Sequence, residues 1–156
     1  MDRGKRMIRQ IELDHRQEVL QLLSVQMAAY MVEARLIGFD DIPPLKDSVD
    51  SLRQSGEVFY GYFSGRELWG AISYKRDGAV LDIHRLMVHP EHFRQGVASC
   101  LLQFVETVES GVKKITVSTG AKNHPAKNLY RHFGYVEVDE RELPEGVKMS
   151  FFEKAI

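Results

Sequence analysis

A strand that leads through a short loop into a glycine-initiated helix is the feature that most constrains this sequence. Val80 to Val88 is strand-like, and His89-Pro90 ends it. From Gly96 onward, apolar residues recur at helical spacing: Val97, Leu101, Phe104, Val105 and Val108. Backbone N–H groups in the first turn of a helix lack intrahelical partners, and with the helix dipole they attract anions. The segment therefore predicts a phosphate-binding loop, with a pyrophosphate as its obvious guest.

Small residues in the loop support this interpretation. Gly96 lets the backbone approach a ligand, Ala98 keeps the second approach point small, and Arg94 can add positive charge at the rim. A Walker loop and a dinucleotide-binding fingerprint are both excluded, because no Gly-Lys-Ser/Thr follows and the three-glycine spacing is absent. Taken alone, Gly96 could equally serve only to turn the chain into the helix.

The order of the predicted elements favours an α/β fold of the α+β kind. It runs strand, two or three helices, three strands, helix, strand, helix and two strands. This order predicts a mixed, mostly antiparallel central sheet of about seven strands flanked by helices on both faces. Helices after Val88 and Ser118 would make the strands beside them locally parallel. Gly111 and Gly134 are expected to end those two helices.

Length and composition are those of one ordinary domain. A chain of 156 residues can bury a core without disulfides, and we expect a single domain over residues 7–156 behind a flexible N-terminal tail at residues 1–6. The net charge of −1 argues against a protein that coats nucleic acid. Cys100 is the only cysteine, so no intramolecular disulfide can form.

Neither a membrane span nor a metal site is expected. No apolar run approaches the roughly 18 residues that a spanning helix needs, and no signal peptide follows the charged start, so a cytoplasmic location is predicted. Four histidines show no metal-ligand spacing: His89, His92, His124 and His132.

Two motifs at a fixed separation carry more information than the loop alone. Val88-His89-Pro90 precedes Phe93-Arg94-Gln95-Gly96-Val97-Ala98. A second set of residues follows downstream: Asn123, Ala126, Leu129, Tyr130, Phe133, Gly134 and Tyr135. Together they resemble the GNAT superfamily of N-acetyltransferases, whose motifs read Gln/Arg-x-x-Gly-x-Gly/Ala and Asn-x-x-Ala-x-x-Leu-Tyr. Phe93 departs from the usual Gln or Arg and removes one polar contact.

The resemblance implies acetyl-CoA as the cosubstrate. The pantetheine arm would lie along Leu86, Met87 and Val88 like an added strand, and Asn123 would contact it from the next helix. The pyrophosphate would sit on six backbone amides: those of Arg94, Gln95, Gly96, Val97, Ala98 and Ser99. Lys127 and Arg131 would be partners for the outer phosphate, although both are equally typical of solvated helix positions.

The resemblance also implies catalytic residues. Tyr130 would be the general acid that protonates the leaving CoA thiolate, whereas without the motif it would be a core residue. Asp82 and His84 lie two apart on the strand before the loop and therefore face one side. They align with two histidines that resemble a water-mediated base in one family member, and histidine titrates near neutral pH. Equally, both could satisfy polar contacts at a sheet surface.

The expected function is transfer of an acetyl group from acetyl-CoA to a primary amine of a small molecule or protein. The alternative is a catalytically inactive CoA-binding sensor module. The segment Tyr30 to Pro44, which usually overhangs the acceptor pocket in this family, carries Glu33, Arg35, Asp40 and Asp41. Its acidic residues could receive a cationic amine or could simply be solvated. No nucleic-acid or membrane partner is expected, and homodimers are common among such folds.

Overall fold

The computed structural model describes residues 5–156, which form one seven-stranded sheet. The strands are β1 Arg6–Gln10, β2 Val58–Ser64, β3 Glu67–Asp77, β4 Val80–Val88, β5 Lys114–Gly120, β6 Val136–Glu142 and β7 Lys148–Ala155. The α-helices of the described residues are α1 Arg16–Ile37, α2 Val49–Gln54, α3 Val97–Val105 and α4 His124–His132. Short 3₁₀ turns span Pro43–Lys46 and Pro90–His92. None of these helices is long and apolar enough to cross a membrane.

The strand order confirms the predicted architecture but only one of the two predicted parallel pairings, because β7 lies between β5 and β6 and pairs antiparallel with both. Along the sheet the strands run β1-β2-β3-β4-β5-β7-β6. Every neighbouring pair is antiparallel except β4 and β5. These two strands are parallel because α3 carries the chain back between them. The result is the mixed, mostly antiparallel α/β sheet, with helices on both faces, that the element order predicts.

Each face of the sheet has its own apolar core. On one face, α1 and α2 bury Leu22 and Leu52 against residues such as Phe59 of β2. On the other face, α3 buries Leu101 against residues such as Ile115 of β5. Burying a side chain of this size contributes about 1.5–3 kcal/mol relative to leaving it exposed. The two cores therefore hold α1 and α3 firmly on opposite faces of the central strands.

β4 and β5 separate partway along β4. Their parallel pairing ends at Ile83 and Val117. β4 continues to pair with β3 as far as Val88, and β5 pairs with β7 as far as Gly120. The second half of β4 therefore has one backbone edge with no strand beside it, and the sheet opens at this point.

A β-bulge at His84 changes the face on which the following residues lie. Ile83 pairs with Tyr74 and Arg85 pairs with Ser73, so His84 has no partner on β3. An extra residue in one strand disturbs the alternation of side chains after it. Consequently Ile83 packs in the α3 core, whereas Arg85 contacts α1 on the other face.

Arg85 joins several segments through part-buried polar contacts. Its Nε and Nη2 donate to the two carboxylate oxygens of Glu57 at 2.9 and 3.0 Å. Its Nη1 donates to Gln26 of α1 at 3.0 Å and pairs with Asp47 ahead of α2. The hydroxyl of Ser73 on β3 donates to Glu57 at 2.6 Å. The network thus meets the requirement that buried charges be paired and hydrogen-bonded.

Two predicted boundaries need correction. β1 begins at Arg6, inside the tail predicted over residues 1–6; residues 1–4 of that tail lie outside the described residues. The helix expected to reach Gly111 ends at Val105. It ends there because the next two amides bond to carbonyls three residues back rather than four, which tightens and terminates the helix.

Replacing Arg85 by Met is expected to destabilise the fold by about 3–5 kcal/mol, because Glu57 and Asp47 then lose their buried counter-charge. Urea unfolding followed by circular dichroism measures the change. R131M is the matched control, since Arg131 is half exposed where it pairs with Glu137, and such pairs contribute at most about 1 kcal/mol. Equal unfolding midpoints for R85M and R131M would contradict the role given to the Arg85 network.

Candidate active site

A cleft opens where β4 leaves β5. This first cleft has a volume of about 660 Å³ and lies between α1, the end of β4, the loop before α3, and α4. Leu86, Met87 and Val88 line it, and the Met87 side chain is buried in the α1 core, so that residue offers the cleft mainly its backbone. An exposed strand edge of this kind can pair with an extended ligand as though the ligand were another strand.

The loop at one end of the first cleft has an unusual backbone. Arg94 adopts a φ of 63°, the one positive φ at a non-glycine residue in the described chain, and Gly96 adopts a φ of 77°. No side chain caps α3, so its first N–H groups point out of the helix unpaired. Left-handed residues beside such amides create a concavity of N–H groups that binds anions. This geometry suits an anion, and the segment Phe93 to Gly96 is termed the anion loop for that reason.

A second cleft lies beyond the first. It has a volume of about 640 Å³ and lies between the end of α1, the segment after it, the middle of β4, the end of β5, and the β6–β7 loop. Four residues line both clefts: Tyr30, Glu33, Leu86 and Tyr130. A ligand in the first cleft and a ligand in the second would therefore meet at this shared wall.

Tyr130 stands in the shared wall with a free hydroxyl. Its ring is 4% exposed and packs against Tyr135 and Phe152, with ring centroids 5.9 and 5.6 Å away. Within residues 5–156 its hydroxyl has no hydrogen-bond partner. Burial, reinforced by the nearby carboxylate of Glu33, raises the pKa of Tyr130 well above its ordinary value. Tyr130 therefore holds its proton at neutral pH and can donate it.

Asn123 joins the start of α4 to Glu33 in the shared wall. Its Oδ1 accepts from the Ala126 N–H at 3.3 Å and so caps the helix. Its Nδ2 donates to Glu33 at 2.9 Å and to Thr119 at 3.3 Å. Asn123 lines the first cleft, but its amide N–H groups are already engaged. Its contact with a cofactor stays a prediction.

His84 reaches the second cleft, whereas Asp82 reaches neither. The Nε2 of His84 lies 3.1 Å from Asp82, and its Nδ1 lies 3.9 Å from Glu57. Asp82 also accepts a hydrogen bond from the hydroxyl of Thr116 on β5. The structure brings the predicted pair together, and of the roles open to Asp82 (base, orienter of His84 or anchor for the ammonium) its contact with His84 favours the orienting one.

A family model for the acetyltransferase (GNAT) domain matches residues 54–137, a span that includes β4, the anion loop and Tyr130. The chain belongs to the GNAT acetyltransferase family. It is 38% identical over 142 residues to the UPF0157 protein YqkA of Bacillus subtilis (strain 168). That match covers 90% of this chain and 41% of the relative, so the chain spans about two fifths of the relative's length.

Solved acetyltransferase structures have the same fold as this chain. An acetyltransferase from Thermus thermophilus superposes with a TM-score of 0.78 at 18% identity, and the match covers 100% of both chains. The PaiA N-acetyltransferase from Thermoplasma acidophilum, solved in complex with coenzyme A, gives a TM-score of 0.76 at 17% identity over 97% of this chain and 99% of that one. At sequence identities this low, the similarity shows that the folds are alike and nothing further.

Most residues predicted from the GNAT motifs as cofactor contacts line the first cleft. Besides the β4 residues and Asn123, the loop and α3 contribute Arg94, Gly96, Val97, Ala98 and Ser99. Gln95 is exposed and does not line the cleft. Tyr30 of α1 was not predicted as a ligand contact, because helical spacing marks it only as a core residue, whereas Glu33 on the same helix was among the acidic residues expected to receive an amine.

The two basic residues predicted as outer-phosphate partners have other contacts. Lys127 lies 3.6 Å from Glu137, and Arg131 lies 2.9 Å from the same carboxylate. Neither lines the first cleft. The structure thus gives both residues a structural role on α4. No group of three or more His, Cys, Asp or Glu side chains within residues 5–156 is placed to hold a metal ion.

The segment Tyr30 to Pro44, which spans the end of α1 and the loop after it, is only partly at the clefts. Arg35 and Asp40 are exposed and line neither cleft. Asp41 lines the second cleft and pairs with Lys46 at 2.8 Å. Glu33 lines both clefts. The structure therefore selects Glu33 from this segment as the residue nearest the place where two ligands would meet.

Gly96→Glu is expected to weaken acetyl-CoA binding at least about tenfold more than Gly96→Ala does, which corresponds to about 1.4 kcal/mol. Both variants carry the same strain at a φ of 77°, and a Cβ there meets no heavy atom within 4 Å. Only glutamate adds bulk and negative charge where a pyrophosphate would sit. Isothermal titration calorimetry compares the affinities, and equal values for the two variants would refute the anion loop.

Proposed function

We propose that this GNAT protein is an N-acetyltransferase that moves an acetyl group from acetyl-CoA to a primary amine by direct attack. The observation that carries the proposal is the meeting of two clefts at one wall that contains a protonated tyrosine. Acetyl-CoA would fill the first cleft and present its thioester at the wall. The amine would approach the same atoms from the second cleft. No covalent enzyme intermediate is needed when both substrates meet in this way.

The residues of the first cleft fit acetyl-CoA. The unpaired amides of α3 and the left-handed Arg94 and Gly96 suit the pyrophosphate. The edge of β4 along Leu86 to Val88, where no strand of residues 5–156 pairs and only the Leu86 backbone bonds to the Tyr30 hydroxyl, suits the amide groups of the pantetheine arm. The coenzyme A complex of the similarly folded PaiA protein supports this choice of ligand.

Tyr130 is the proposed general acid. When the amine displaces the thiolate of CoA, the sulfur needs a proton, and a tyrosine whose burial keeps it protonated can supply one. Tyr130 is suited to this role because its hydroxyl is not engaged by another described side chain and because it lines both clefts.

The second cleft favours a cationic acceptor. Apart from His84, two basic side chains line this cleft: Lys46 and Arg85. Five side chains bring negative charge: Glu33, Asp41, Asp47, Glu57 and Glu145. A cleft lined mainly by one sign of charge concentrates molecules of the other sign. A protonated amine is such a molecule.

A thiol-release assay tests the proposal. Acetyl-CoA is mixed with the protein and a panel of diamines, amino acid amides and lysine peptides, and free CoA is followed with a thiol reagent. Mass spectrometry should show the acceptor heavier by one acetyl group. Binding of CoA without turnover on any amine would instead support the sensor alternative.

Tyr130→Phe is expected to lower kcat by about 10²-fold or more while leaving acetyl-CoA affinity within about twofold, because only proton donation is lost. Tyr135→Phe is the matched control. Its phenol packs against Tyr130 but bonds to Glu106 at 3.4 Å and lines neither cleft, so kcat should stay near that of the wild type. An unchanged kcat in Y130F would remove Tyr130 from the mechanism.

A further inference from the structure

Glu33 is placed where the two clefts meet. It projects from α1 into the wall shared by both clefts, together with Tyr30, Leu86 and Tyr130. The negative charge of Glu33 contributes to the raised pKa of two tyrosines, Tyr30 on α1 and Tyr130 on α4. Glu33 is the one carboxylate that lines both clefts within residues 5–156.

The other carboxylates of the second cleft are neutralised or remote. Asp47 and Glu57 pair with Arg85, and Asp41 pairs with Lys46. Glu145 is exposed on the β6–β7 loop. None of these four residues lines the first cleft, so none stands where a thioester would be presented.

Glu33 itself has no cationic partner within the described residues. Its Oε1 accepts from Asn123 Nδ2 at 2.9 Å, and its Oε2 has no hydrogen bond to any residue from 5 to 156. A half-buried carboxylate without a counter-ion is costly, and perturbed carboxylates that line a cleft are typical of functional sites. The free Oε2 is therefore available to a cation that enters the second cleft.

We propose that Glu33 is a further catalytic residue, which binds the ammonium group of the acceptor and takes a proton from it. This inference rests on the proposed function. Burial raises the pKa of Glu33, and the hydrogen bond from Asn123 only partly offsets that rise. A carboxylate with a raised pKa is a stronger base than an ordinary glutamate, which suits proton transfer from an amine.

Two residues, Glu33 and Tyr130, account for every proton transferred in the reaction. Glu33 takes one proton from the ammonium and later releases it to solvent. The freed nitrogen lone pair forms the C–N bond at the acetyl carbonyl, and the C–S bond breaks. The thiolate takes the proton of Tyr130, and Tyr130 recovers a proton from the acetylated nitrogen. The products are the amide, CoA thiol and one proton in solution.

His84 is less well placed for this step. It lines the second cleft but not the first, and its two ring nitrogens face Asp82 at 3.1 Å and Glu57 at 3.9 Å. Other charged groups around the second cleft are Arg85 on β4 and Lys46 in the segment after α1, both paired with carboxylates. These groups leave Glu33 as the one half-buried carboxylate with an open oxygen facing the acceptor.

Glu33→Gln tests the proposal, because glutamine keeps an oxygen for Asn123 and removes the base. We expect kcat to fall about 10²-fold. Wild-type kcat/KM should decline as pH falls through the raised pKa of Glu33, and E33Q should lack that decline. Asp40→Asn is the matched control, since Asp40 is exposed just beyond α1 and lines neither cleft. Its kcat should equal that of the wild type.

The separate effects of E33Q on kcat and on KM decide whether Glu33 is the proton acceptor. If E33Q raises KM but keeps kcat and the acidic decline, Glu33 is not the proton acceptor and the proposal fails. If the wild type acetylates amines and E33Q matches it in every respect, the proposal fails while the proposed function stands. Equal melting temperatures for E33Q, D40N and wild type confirm that any loss is not one of folding.

Binding provides a readout that does not depend on turnover. Titration of 1,4-diaminobutane into protein saturated with CoA should show at least tenfold weaker binding for E33Q than for wild type and D40N. Absence of turnover in the wild type would refute the proposed function, and the titration would still decide whether Glu33 binds the ammonium. Equal affinity in E33Q and wild type, or no binding to either, overturns the inference.

Discussion

The separation of β4 from β5 is the constraint on which the site depends. The two strands pair in parallel only as far as Ile83 and Val117. Beyond that point each strand keeps its other neighbour, so the sheet stays intact while a gap opens within it. Along this edge the Leu86 backbone bonds to the Tyr30 hydroxyl, and the remaining backbone groups must find hydrogen bonds in water or in a ligand. Both clefts open from this gap, and α1 forms a wall of each.

Charge pairing near the gap determines which carboxylates have a cationic partner. The bulge at His84 lets Arg85 reach the α1 face, where it neutralises Glu57 and Asp47. These carboxylates therefore serve to join α1, β4 and the segment before α2. Glu33 has no such partner among the described residues. A paired ion network and a carboxylate without a cationic partner among the described residues thus share one face of the sheet, and the difference between them is the position of one guanidinium.

Agreement between sequence and structure is best where the determining interactions are local. The start of α3 directly after Gly96, the end of α4 just before Gly134 and the full extent of β4 all appear as predicted. Each depends on residues within one or two turns of the chain. α3 was predicted to end at Gly111, because glycine is a strong helix terminator. It ends at Val105 instead, because the next two amides bond to carbonyls three residues back.

By itself, the sequence determined the element order, the anion loop and the family motif around Tyr130, because these features arise from short-range spacing and backbone preference. Only the tertiary structure decided that Tyr30 and Glu33 line both clefts and that Asp82 lines neither. Residues about one hundred positions apart, such as Glu33 and Tyr130, meet because α1 and α4 pack around the gap in the sheet. Helical periodicity marks the buried face of α1, but it cannot say which part of that face covers a gap instead of a core.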